Sequence, residues 1–242
     1  MKLVNGVHQR GSAAIRHRFA NSLWRRLYGA KELTVLQCTK RDLGLCYSNS
    51  ANGGIMGNFY CNTLLRGAGQ KDVVEELRRL KRTAFVSGDV QGYVLVCDKG
   101  CDSQDEREVL KLGTSFSHRF SGPVFSVLNH DDDILLYWLF DKGEVADRYD
   151  STPGYFEGHS RPAEGGNAEM LCQALYRGAD RGEVEKILRA RQGADYVLAI
   201  DRHQALIAAL RLPEESLGSS YSYLEKGETF GTVDKSMMVH IT

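Results

Sequence analysis

Regular alternation of apolar and polar positions begins just after Met56. Residues 58–66, NFYCNTLLR, predict a strand. In 71–81, Val73, Val74, Leu77 and Leu80 recur at helical spacing with charges opposite, which predicts an amphipathic helix. Residues 83–87 and 93–98 are short β-branched and aromatic runs split by Gly88, Asp89 and Gly92, and they predict a hairpin. Ser103 to Glu106 reads as a capping box that opens a helix to about Arg119. Two further strands are expected at 123–129 and 134–140. Next comes a tight turn, in which Gly143 supplies a positive φ, and a returning strand at 145–150.

That order is β-α-β-β-α-β with a β-β extension. It predicts an α+β fold whose first six elements form a ferredoxin-like layer, two helices covering one face of an antiparallel sheet. Beyond Gly158 the pattern turns helical. Asn167 caps one helix to about Arg177, and Asp180 with Glu183 opens a second to about Arg191. A third runs over 196–212 and stops before Pro213, and the tail at 219–224 alternates like a short strand. Three parts are expected: a basic segment at 1–55, a ferredoxin-like domain at 56–158, and a mainly helical segment at 159–242 packed on it.

The stretches NFYCNTLLRG, VLNHDDD, YWLF, DRYDSTPGYF, YVLAIDRHQAL and YSYLEKGE together resemble a family of uncharacterised bacterial proteins. The resemblance covers about residues 56–228 and none of the first 55. It implies a domain start near Met56 and carries no established activity.

Charge sharpens that boundary. The 242 residues sum to zero formal charge, so the total gives no reason to expect nucleic acid or an anionic membrane as partner. Yet residues 1–55 hold nine Lys or Arg against two acids, Glu32 and Asp42, which leaves the rest at −7. Three readings compete for the segment: a basic arm, a transit peptide, or an upstream artefact with translation starting at Met56. The onset of alternation favours the last. No apolar run approaches the roughly 20 residues that span a bilayer. Of the six cysteines, Cys38, Cys61 and Cys172 read as small hydrophobes, and Cys97 with Cys101 has only a C-x3-C spacing, a weak zinc signal. Reduced thiols and a cytoplasmic location are expected. Gly67 and Gly69 complete no phosphate-binding loop, so no cofactor is expected.

The densest chemistry lies in His130, Asp131, Asp132 and Asp133, with Asp147, Asp150 and His159 downstream. Oxygen-rich clusters suit hard cations, and a histidine admits Mn²⁺ or Zn²⁺. Adjacent side chains on a strand point to opposite faces, however, and aspartates also favour turns for their own backbone bonding. Tyr155 and Phe156, with Tyr149 and Trp138, offer an aromatic lining for a partner or ligand. His203 reads as a surface residue on the polar side of its helix. No nucleophile motif is present. The expectation is a non-catalytic binding module that turns an acidic sheet face towards a basic protein partner. The alternative is a metal-dependent hydrolase centred on His130 and Asp131 to Asp133.

Overall fold

The computed structural model describes residues 57–159, 161–191, 193–195, 198–228 and 233–242. The basic segment at 1–55 and the expected start at Met56 lie outside the described residues.

The chain forms β1 (Tyr60–Arg66), α1 (Gln70–Arg79), β2 (Ala84–Val90), β3 (Tyr93–Asp98), α2 (Glu106–Arg119), β4 (Val124–His130), β5 (Ile134–Asp141) and β6 (Glu144–Asp150). There follow β7 (Glu164–Gly165), α3 (Ala168–Ala174), α4 (Arg181–Arg189), α5 (Ala199–Leu210), α6 (Tyr221–Lys226) and β8 (Val239–Ile241). All eight strands join one antiparallel sheet in the order β7-β6-β5-β4-β1-β3-β2-β8. The protein is therefore α+β, and the two last strands tie the C-terminal part of the chain into the same sheet.

Helices cover both faces at the centre of that sheet, which explains why β3, β4 and β5 read as nearly unbroken apolar runs, whereas β6 buries Tyr149 alone. All six residues of β3, YVLVCD, are buried. On one face Cys61, Leu65, Val94, Val96, Trp138 and Phe140 meet Val73 and Leu77 of α1 and Val109, Leu112 and Phe116 of α2. On the other, Tyr60, Leu64, Leu95, Tyr137, Leu139 and Tyr149 meet Leu171, Leu188, Leu206, Leu210 and Leu224 from the later helices. Alternate residues of one strand thus serve opposite cores. Each large apolar side chain so buried stabilises the fold by about 1.5–3 kcal/mol.

Several local expectations change. The N-cap of α2 is Asp105, whose Oδ1 accepts from Arg107 N at 2.9 Å. Ser103 instead sits in a 3-10 turn and donates its hydroxyl to Gly100 O at 2.6 Å. The tail read as a strand is the helix α6, capped by Ser220, whose Oγ accepts from Tyr223 N at 3.2 Å. Tyr221 and Tyr223 mimic a two-residue period there, but a satisfied cap lets the backbone wind instead. The third expected helix starts at Ala199, where Asp201 Oδ2 accepts from Leu198 N at 2.9 Å. Strands β7 and β8 span only two and three residues, too short for any periodicity to register.

Candidate functional site

The β4–β5 turn, His130 to Asp133, lies where the sheet meets both the entry to β1 and the start of α5. Asp133 N donates to His130 O at 3.0 Å. Asp131 and Asp132 between them take φ of 54° and 56°. A two-residue hairpin whose twist matches the strands needs positive φ at both central positions, and aspartate tolerates that better than most residues. Turn chemistry therefore accounts for two of the three aspartates before any ligand is considered.

Their side chains then separate. Asp131 Oδ1 accepts from Gly57 N at 3.1 Å. Asp132 is buried, and its Oδ2 accepts from Asn58 N at 3.1 Å and Asn58 Nδ2 at 2.7 Å, while Oδ1 accepts from Asn129 Nδ2 at 2.7 Å. Burial pushes the Asp132 carboxyl above the usual range, and these amide donors pull the other way. Its carbonyl also accepts from Ala199 N at 2.6 Å, pinning the first residue of α5 to the turn. Asp133 Oδ2 accepts from the Tyr155 hydroxyl at 2.9 Å. Two consecutive carboxylates thus hold the entry to β1 at Gly57 and Asn58, and the third holds the loop at Tyr155. Among the described residues, no three His, Cys, Asp or Glu side chains gather so as to hold a metal ion.

What the turn does assemble is a set of rings. Phe59 and Phe156 meet the His130 ring edge-on at 5.0 and 5.1 Å, and Tyr155 approaches it at 6.3 Å. Gln104 Oε1 lies 2.6 Å from His130 Nδ1, so that nitrogen carries the proton that the amide oxygen accepts. Phe156 remains 74% exposed and Phe59 37%. The loop that carries Phe156 is held by Thr152 N donating to Asp150 Oδ1 at 2.9 Å and by the Tyr155–Asp133 bond. Burial raises the Asp150 carboxyl. The patch is therefore apolar, anchored from beneath, and flanked by Asp133 and exposed Glu157.

The other expected site residues lie apart from it. Asp147 accepts from Tyr137 OH at 2.7 Å and from Asn167 N at 2.8 Å, joining the sheet to the start of α3. Tyr149 is wholly buried, stacks on Tyr137 at 5.2 Å and donates its hydroxyl to Leu188 O at 2.8 Å. Trp138 belongs to the α1–α2 core and Tyr149 to the opposite one, so these two do not share a lining with Tyr155 and Phe156. His159 is exposed and packs over Gly154.

His203 reverses its expectation. It has no exposed surface, and its Nδ1 lies 2.7 Å from the Tyr60 hydroxyl. Burial holds its pKa down at about 3, so the ring is neutral. The neighbours Asp201 and Arg202 suggested a solvated side, yet Leu206, Ile207 and Leu210 stand at the spacing that shares a face with His203. Arg202 is buried too, donating to Leu188 O and Ala190 O at the end of α4. Phe59, Asn58, Asn129 and Gln104 complete the turn's surroundings, and none announces itself in a one-dimensional pattern. No family model, curated protein or solved structure matches the chain.

Proposed function

We propose that this chain is a non-catalytic binding module whose contact surface is the aromatic patch at the β4–β5 turn. The observation that carries the reading is Phe156, an aromatic ring left 74% exposed yet fixed against His130 at 5.1 Å. Rigid aromatic rings give large contact area at low entropic cost, which is why they anchor interfaces. Its partner is a protein segment that places an apolar side chain on the rings and a Lys or Arg beside Asp133 and Glu157. The net charge of −7 beyond residue 55 favours the encounter. The acidic face first expected thus contracts to the turn, because Asp132 is buried and Asp147 joins the sheet to the start of α3, away from the exposed rings.

Two finer readings accompany this one. The element order from β1 to β4 and the strand order β4-β1-β3-β2 support a ferredoxin-like layer, extended on both sides. The four described cysteines are free and buried, which supports a reducing, cytoplasmic setting. Among the described residues no helix is long and apolar enough to cross a membrane.

A photo-crosslinking phenylalanine analogue at position 156 of the full chain tests the proposal in cells. A discrete protein adduct is expected, weakened by Phe59→Ala and by Asp133→Asn. Adducts indifferent to both substitutions would sink it. A Mn²⁺- or Zn²⁺-dependent rise in Tm that needs His130 would replace it with metal-dependent hydrolysis, since a metal at 100 times its Kd stabilises by about 2.7 kcal/mol.

A further inference from the structure

We infer that the groove between α1 and α2 binds a phosphate monoester of a small molecule. Glu76, Arg79, Thr114, Ser115, His118 and Arg119 line a cavity of about 350 Å³ there. Arg82, just past α1, pairs with Glu108 in the first turn of α2, and the Ser115 hydroxyl further along α2 reaches back to Glu76. The two helices therefore run antiparallel. Their dipoles oppose, so the field in the groove is set by its side chains.

Glu76 is the buried centre of the site, only 4% exposed. Arg79 Nε donates to its Oε2 at 2.8 Å and Arg79 Nη2 to its Oε1 at 2.6 Å, while the Ser115 hydroxyl donates to Oε1 at 3.3 Å. The bonds from Arg79 hold the Glu76 carboxyl below the usual carboxylate range, so it is charged. The Arg79 side chain itself is 65% exposed. A buried carboxylate costs desolvation that one exposed arginine offsets only in part, so stability alone is a poor account of the pair. What the pair does achieve is a guanidinium held in one orientation at the surface. Two of its nitrogens are tied to Glu76, and Nη1 remains for a second acceptor.

Arg119 supplies the second guanidinium. It forms no ion pair among the described residues and faces only the Phe120 ring, at 5.5 Å. One carboxylate against two guanidinium groups leaves the groove positive, in a part of the chain that is otherwise acidic. A carboxylate ligand would offer two oxygens. A phosphoryl group offers three, enough to accept from Arg79 Nη1, the Arg119 fork and the Thr114 hydroxyl together. The Ser115 hydrogen is already given to Glu76, so Thr114 is the neutral donor of the set. Small-molecule sites span about 300–1,000 Å³, and this cavity stands at the lower end, so the rest of the ligand is small.

Titration of the full chain with inorganic phosphate and with glycerol 3-phosphate, at constant ionic strength, tests the site by NMR. Both should give saturable shifts confined to residues 76–79 and 114–119. Arg119→Gln, at an exposed position, should raise the Kd for glycerol 3-phosphate by about tenfold and leave Tm unchanged. Glu76→Gln separates a positioned arginine from a merely basic surface. Loss of a negative charge alone would tighten anion binding, whereas release of Arg79 should raise the Kd by about threefold or more. Should that variant not fold, Arg119→Gln decides alone. Shifts that do not saturate, that spread over other basic residues, or that persist unchanged in Arg119→Gln overturn the site. Tighter binding in folded Glu76→Gln overturns the positioning role of Glu76. A phosphoserine peptide that binds more tightly than glycerol 3-phosphate overturns the small-molecule class. None of these readouts depends on what the aromatic patch binds.

Discussion

His203 makes the stability of this protein depend on mild acid. In the unfolded chain its imidazole titrates near about 6.5. In the fold burial holds it down at about 3. Between those values the unfolded state binds one more proton, so stability falls as the pH drops below about 6.5. The slope approaches about 1.4 kcal/mol per pH unit, and from pH 7 to pH 5 the loss is about 2 kcal/mol. For a domain of this size that lowers Tm by roughly 4–8 °C. Asp132 and Asp150, raised by burial, take up protons in the fold before they would when unfolded, so acid strengthens their contribution. The comparison must therefore be made against His203→Asn, whose amide can replace Nδ1 as the partner of the Tyr60 hydroxyl at 2.7 Å. Urea unfolding followed by circular dichroism at pH 7 and pH 5 should show the extra loss in the parent chain alone. Equal losses in both would refute the reasoning, as would an NMR titration of the His203 ring between pH 7 and 5 in the folded protein.

Three further outcomes are expected. Leu77→Ala in α1, where the side chain is fully buried, should cost about 2–5 kcal/mol in chemical unfolding, while Lys71→Asp on the exposed first turn should be neutral or slightly stabilising. Asp132→Ala should cost about 2–4 kcal/mol, because it strands the donors of Asn58 and Asn129, and amide exchange should show β1 fraying at its first residues. Phe156→Ala should change stability by less than about 0.5 kcal/mol, since the ring is mostly exposed, and a large drop in Tm would make it a structural residue instead.

Elements β1 to β5, α1 and α2 were legible because each buries enough residues for its period to show, whereas β6, which buries Tyr149 alone, was legible from the turn at Gly143 before it. Val73, Val74 and Leu77 mark the buried stripe of α1 from the sequence alone. The candidate site was legible only as a place. HDDD marked the turn, but not that Asp131 and Asp132 would bond residues 74 positions away. Such partners depend on which strands become neighbours, and hairpin periodicity carries no such information. His203 was misread for a related reason. Its helix buries a polar pair, Arg202 and His203, whose partners come from the end of α4 and from β1. Polarity along a helix reports solvent only where no such partner waits inside.

The outermost strands of the sheet are short, and β7 pairs only with Tyr149 and Asp150, so most of β6 has no strand beside it on that side among the described residues. At one side β7 offers two residues, and at the other β8 offers three, paired through Val239, His240 and Ile241 with Val86, Phe85 and Ala84. A long bare strand edge is a template on which another chain can add, and a short one is not. Losing the last four residues would transfer that hazard to β2, whose Ala84, Phe85 and Val86 are all buried and apolar. A C-terminal nick would then matter less for the stability it removes than for the self-association it permits. Removal of residues 239–242 is expected to make the protein associate edge to edge at concentrations where the intact chain stays dispersed.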